Sequence, residues 1–97
     1  ANKIFIKIHI GSDCLFGSNV QLLAISHDME PSARLLKHNY ADDIIIGNNV
    51  WLGSGVVVLA GVNIGDNSVV GAGSIVTKNI EANSFYAGNP AGKVRDV

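Results

Sequence analysis

The chain is poor in charge, in aromatic side chains and in cysteine. Charged residues make up 15% of its 97 positions, the formal net charge is −1, and no basic block stands out. That composition offers no electrostatic hold on nucleic acid or on an anionic membrane, so neither is expected as a partner. Although 47% of the residues are hydrophobic, no apolar run approaches the ~20 residues that a helix needs to cross a bilayer. No basic, apolar and small-residue leader of the secretory kind stands at the start. The single cysteine, Cys14, cannot close an internal disulfide. A lone thiol fits a reducing, cytoplasmic setting. Position 1 is not Met, and the pattern described next is already running at Ile4. The expectation is one domain over residues 1–97, truncated or unusually short at its amino-terminus.

What the chain has is glycine, valine and isoleucine in a fixed rhythm. Ile46, Leu52, Val58, Ile64, Val70 and Val76 follow one another at a spacing of six, and Gly47, Gly53, Gly65 and Gly71 come directly after four of them. Four residues beyond each aliphatic stands Val50, Val56, Val62, Ser68, Ser74 or Ile80. Ile4, Ile10, Phe16 and Leu22 keep the same phase in the first half, with Gly11 and Gly17 following. An amphipathic helix needs a period near 3.6 and a half-buried strand a period of 2, so neither explains six. A short strand and a turn do, with the first and fifth positions inward and glycine easing the corner. Three such units close a triangular coil of about eighteen residues. Successive coils stack as parallel strands about 4.8 Å apart, which gives roughly three and a half coils here. The fold class is therefore all-β, a parallel β-helix. So short a prism has bare ends and little core, so an oligomer is expected.

The rhythm breaks once, from His27 to about Asp43, and gives way to a tail from about residue 82 to 97. An irregular excursion from a rigid solenoid is where function concentrates. His27 opens it. Histidine titrates near neutrality and suits a general base, although a polar residue starting a loop would look the same. Three histidines also raise a zinc reading, but zinc needs three or four converging ligands. His9 falls on a flat side and His38 in the loop. Asp42 and Asp43 read as a solvated turn.

Three segments carry a resemblance to a known family: "IGSDCLFGSNVQLLAISH", "IGNNVWLGSGVVVLAGVNIGDNSVVGAGSIVTKNI" and "AGNPAGKVR". They resemble the hexapeptide-repeat acyltransferases, and within them the maltose and galactoside O-acetyltransferases. The loop between His27 and Trp51 also has that family's length. The resemblance implies a left-handed parallel β-helix with one protruding loop. It implies a homotrimer with active sites between subunits, and acetyl-CoA in the groove between two prisms. It implies His27 as the base that takes a proton from an acceptor hydroxyl. Ser54, Ala72, Thr77, Lys78, Lys93 and Arg95 match acetyl-CoA contacts, the cations meeting the CoA phosphates. Trp51 and Arg34 match the acceptor side. A backbone N–H at Gly53 or Ser54 is the expected helper for the thioester oxygen.

Three departures from the family pattern stand out. Asp28 follows His27 where the family has Pro, and Gly92 stands where it has its first tail cation, with Lys93 one residue later. Phe5 stands where galactoside enzymes carry an acidic sugar contact, which points away from that sugar as acceptor. The expected function is an acetyl-CoA-dependent O-acetyltransferase acting on a sugar or similar small hydroxyl acceptor. The alternatives are a non-catalytic trimeric β-helix scaffold or remnant, and a zinc-dependent hydratase of the gamma-class carbonic anhydrase kind.

Overall fold

The computed structural model describes residues 5–97, so Ile4, the first position of the repeat, lies outside the described residues. Three short strands form the sides of a first triangular coil: β1 (Ile8–Ile10), β2 (Leu15–Phe16) and β3 (Gln21–Leu23). The chain then leaves the prism as a hairpin of β4 (Ile25–His27) and β5 (Asn39–Ala41), with the helix α1 (Pro31–Leu35) between them. It returns for a second coil of β6 (Ile44–Ile46), β7 (Trp51–Leu52) and β8 (Val57–Leu59). A third coil follows: β9 (Asn63–Ile64), β10 (Val69–Val70) and β11 (Ile75–Val76). A partial fourth coil starts with a bridge from Ile80 to Ile64 and runs into β12 (Ser84–Gly88). Through the cis Asn89–Pro90 bond the chain turns back, and β13 (Ala91–Asp96) pairs antiparallel with β12.

Stacking is parallel on all three sides. Ile8 lies beside Ile44 and Ile46 beside Ile64; Leu15 lies beside Trp51 and Trp51 beside Val69; Leu22 lies beside Val58 and Val58 beside Val76. Contacts between the second and third coils join residues 18 apart, whereas those between the first and second join residues 36 apart. The excursion thus takes up one coil's length of chain and returns it in register.

The inward positions read from the period are the core. Ile46, Leu52, Val58, Ile64, Val70 and Val76 are at most 3% exposed, and Val50, Val56, Val62, Ser68, Ser74 and Ile80 at most 4%. The first coil departs from this. Ile10 is 44% and Phe16 37% exposed, and Leu22 is half-buried. An inward side chain is sealed by the coils on both sides of it, and among the described residues the first coil has a neighbour on one side only. No helix among the described residues is long and apolar enough to cross a membrane.

Two serines replace valine where the core meets the tail. The Ser68 hydroxyl donates to the Glu81 carbonyl, and the Ser74 hydroxyl accepts from the Gly88 N–H at 3.0 Å. These bonds tie the irregular backbone of the tail to the regular coil beneath. Ser74→Val keeps the shape but strips the Gly88 amide of its partner. A buried unpaired amide costs about 1–3 kcal/mol, and the lower end applies here because Gly88 is exposed. The expected result is a lower melting temperature together with faster hydrogen exchange at Gly88; an unchanged exchange rate there would mean the bond does not hold the tail.

Candidate active site

His27 is the last residue of β4. The hairpin pairs Ile25 with Ala41, Ser26 with Tyr40 and His27 with Asn39. Across this last pair His27 Nδ1 lies 2.8 Å from Asn39 Oδ1. The tip of the excursion is organised by carboxylates. Glu30 caps α1: its side chain accepts from the backbone N–H of Ser32 at 3.1 Å and of Ala33 at 2.8 Å, and Pro31 begins the helix. This arrangement satisfies first-turn donors that have no helical partner. The Ser32 hydroxyl and these N–H groups hold the Glu30 carboxyl below its usual range. Asp28 accepts from the Glu30 N–H at 2.9 Å and from the Tyr40 hydroxyl at 3.0 Å. Those two bonds, the backbone one first, lower the Asp28 carboxyl, and Asp28 in turn raises the Tyr40 phenol.

Asp42 and Asp43, expected as a solvated turn, are half-buried at the foot of the hairpin. Asp43 accepts from the Lys7 N–H at 2.8 Å and so ties the returning chain to the start of the first coil.

Six of the residues singled out from the sequence fall into two cavities on different parts of one prism. A groove of about 580 Å³ runs over the side built from β2, β7, β10, β12 and β13, and it gathers Trp51, Ser54, Ala72 and Arg95. Gly53 and Gly71 are part of its lining, where a Cβ would run into the next coil (Ala72 N at 2.7 Å and Ala87 Cβ at 3.1 Å), and Phe85 and Val97 line it too. A second cavity, of about 510 Å³, lies under the hairpin and holds His27 and Thr77 with Asp28, Tyr40, Leu59 and Ala60. Trp51 is off the inward positions, as expected, and 54% exposed. The Gly53 N–H donates to the Val70 carbonyl at 2.9 Å, which removes it as a helper for the thioester oxygen. Ser54 remains at the groove, its hydroxyl 3.4 Å from that of Ser18.

The cations separate as well. Arg95 borders the first groove with its guanidinium 5.8 Å from the centre of the Phe85 ring. Lys93 bridges Glu81 at 2.9 Å and Asp96 at 2.8 Å, and these two carboxylates, Asp96 first, hold its ammonium well above the usual range. It faces its own chain's acids rather than the groove. Lys78 and Arg34 line neither cavity, and the Arg34 guanidinium reaches the Met29 carbonyl at 3.3 Å. Among the described residues no group of three or more His, Cys, Asp or Glu could hold a metal ion.

Neither Asn39 nor Phe85 stands out in the sequence. Asn39 lies in a stretch without a repeat, and Phe85 in the tail. No period marks either one: the pairing of β5 with β4 brings Asn39 to His27, and that of β12 with β10 brings Phe85 to the groove.

With this geometry in view, the comparisons agree on one family. Residues 43–78 match the model of the bacterial transferase hexapeptide (six repeats), and residues 7–24 match that of the hexapeptide repeat of succinyl-transferase. The galactoside O-acetyltransferase of Escherichia coli strain K12 is 47% identical over 90 residues, covering 93% of this chain and 44% of the relative. A solved galactoside acetyltransferase in complex with coenzyme A superposes with a TM-score of 0.90 at 47% identity, over 92% of this chain and 44% of that one. A hexapeptide-repeat acetyltransferase from Vibrio cholerae, complexed with acetyl-coenzyme A, superposes with a TM-score of 0.89 at 34% identity, over 92% of this chain and 49% of that one. The chain spans less than half the length of the curated relative it matches. The fold is the left-handed parallel β-helix of these neighbours, against the usual right-handed rule for parallel crossovers. The chain belongs to the hexapeptide-repeat acyltransferases, with galactoside O-acetyltransferases among its relatives.

Proposed function

We propose that the chain carries an acetyl-CoA-dependent O-acetyltransferase activity toward a hydroxyl of a sugar or similar small acceptor, and that it works as a homotrimer. One observation carries this reading: the residues expected at one site lie in two separate cavities of the chain. A histidine sits in one cavity, while a groove lined by Gly17, Gly53 and Gly71 with Trp51, Ser54, Ala72 and Arg95 lies elsewhere on the prism. Flat-sided prisms packed side by side would set the groove of one copy against the histidine cavity of the next. A lining with Gly17, Gly53, Gly71 and Ala72 suits an extended thioester arm, which can approach the backbone where side chains are small. Arg95 suits a phosphate, which it can grip in a fork.

In the reaction, His27 takes the proton of the acceptor hydroxyl as its oxygen attacks the acetyl carbonyl. The carbonyl oxygen gains negative charge, and a donor at Ser54 steadies it. As the carbonyl reforms, the carbon–sulfur bond breaks and the departing CoA thiolate takes the proton from the imidazolium. No covalent enzyme intermediate is needed, because a thiolate already leaves well.

The direct test is thiol release from acetyl-CoA with glucose, galactose and maltose, with CoA binding followed by calorimetry and oligomeric state by light scattering. A trimer that binds CoA and acetylates an acceptor is the expected result; a folded trimer without CoA affinity would mean a scaffold instead. Arg95→Ala is expected to raise KM for acetyl-CoA about tenfold at little cost in kcat, since it removes a charge-assisted contact common to ground and transition states. A fall in kcat with KM unchanged would place Arg95 elsewhere in the mechanism.

A further inference from the structure

We propose that Asn39 is a positioning residue that fixes the ring orientation and the tautomer of His27; this rests on the reading of His27 as the base. His27 and Asn39 are register partners across the β4–β5 hairpin, with Nδ1 2.8 Å from the Asn39 amide oxygen. An amide oxygen only accepts, so the ring nitrogen facing it carries the hydrogen. A neutral imidazole protonated on Nδ1 has its lone pair on Nε2, where a base for an acceptor hydroxyl needs it. Histidine free in water favours the opposite tautomer, with the hydrogen on Nε2, which cannot take up a proton there. Asn39 thus holds the less favoured and competent form.

The choice of asparagine has a further consequence. It holds the Nδ1 hydrogen without placing a charge beside the ring. The nearest carboxylate in sequence, Asp28, is engaged by the Glu30 N–H and the Tyr40 hydroxyl. Its electrostatic neighbours are His38 and Arg34. From the prism, β8 and the end of β11 bring Leu59, Ala60 and Thr77 to the cavity, and none of these ionises. The hairpin register brings His27 and Asn39 together although they stand 12 residues apart on either side of α1.

The experiment uses the full chain and the variants Asn39→Leu, Asn39→Asp and His27→Ala. Nitrogen-15 NMR of the His27 ring reads the tautomer directly and needs no acceptor. Turnover is read as thiol release from acetyl-CoA with glucose, galactose and maltose. The wild type is expected to show the Nδ1–H form. Asn39→Leu should move the ring toward the Nε2–H form and lower kcat roughly tenfold, with KM for acetyl-CoA within about twofold. Asn39→Asp should keep the Nδ1–H form and restore most of kcat. Its carboxylate favours the imidazolium, so the acidic limb of kcat/KM should move to higher pH. An Nε2–H ring in the wild type would overturn the proposal, and so would wild-type kcat and tautomer in Asn39→Leu. If His27→Ala is inactive while Asn39→Leu is not impaired, Asn39 fails alone. If His27→Ala keeps full turnover, the base reading fails and takes Asn39 with it. Should Asn39→Leu not fold, the wild-type spectrum and the Asn39→Asp pH profile still decide.

Discussion

His27→Ala is expected to lower kcat for acetyl transfer by about 10²- to 10⁴-fold, with CoA affinity and oligomeric state preserved. An un-ionised hydroxyl is a weak nucleophile, and within the histidine cavity the other ionisable side chains are already committed. Asp28 is bonded to the Glu30 N–H and Tyr40, and Tyr40 donates its hydrogen to Asp28. Neither is free to replace an imidazole without breaking the contact that shapes the excursion. The substitution should leave the fold intact, because His27 is exposed at the end of a hairpin and outside the core. Surface changes of this kind usually stay within about 0.5 kcal/mol. The distinguishing signature is therefore a loss in kcat at constant CoA affinity, followed by thiol release and calorimetry on the same preparation. Equal turnover in the two proteins would end the assignment of His27 as base.

The core of this molecule could be read from the sequence because its physics is local and repeated. Each coil poses the same problem, and Ile46, Leu52, Val58, Ile64, Val70 and Val76 give the same answer, all of them buried. The corners repeat as well: Asn49, Asn67 and Asn83 adopt positive φ one above another, and the Asn49 and Asn67 side-chain amides donate to Asn67 and Asn83 at 3.0 and 2.9 Å. The first coil shows the limit of this argument. Ile10 and Phe16 obey the pattern but are exposed, since a pattern states which way a side chain points and not what covers it.

The site was less legible, for a different reason. Its residues depend on connections that occur once. His27 stood out because the rhythm stops there, but its partner Asn39 is set by the register of a hairpin whose tip carries its own helix and caps. Lys93 looked like a phosphate ligand in the sequence; the antiparallel return of β13 carries it to Glu81, and Asp96 lies three residues further along the same strand. The tail is also where the coil period changes. The last turn brings Phe85 beside Val69, 16 residues earlier in the chain, as the hydrogen bond from Asn67 to Asn83 also does. Spacing alone therefore does not show that Phe85 walls the groove. The distribution of the candidate residues over two cavities follows from the shape of a prism, and no linear motif records it.

Gly65→Ala is expected to destabilise the protein by about 3 kcal/mol or more, which for a domain of this size lowers the melting temperature by roughly 10–20 °C. Gly65 is needed for proximity, not for an unusual backbone angle. Its N–H donates to the Ile80 carbonyl at 2.8 Å, which draws the last coil against it. A Cβ there would lie 2.6 Å from Ala82 Cα and 2.9 Å from the Glu81 carbonyl carbon, and closer still to Ala82 N. All three are backbone atoms of the neighbouring coil, so no rotamer change relieves the clash. Separating the coils would weaken the hydrogen bonds that stack them. Gly73 supplies the control. It has φ +73° and open space where a Cβ would go, so Gly73→Ala meets only the strain of a left-handed backbone, about 1–2 kcal/mol. Gly73→Asn should cost less, because Asn tolerates that conformation and Asn19 adopts it at φ +60°. The expected order of melting temperatures, at one fixed protein concentration because assembly shifts them, is Gly73→Asn above Gly73→Ala above Gly65→Ala. If Gly65→Ala melted together with Gly73→Ala, coil spacing would not be what requires glycine at the corner.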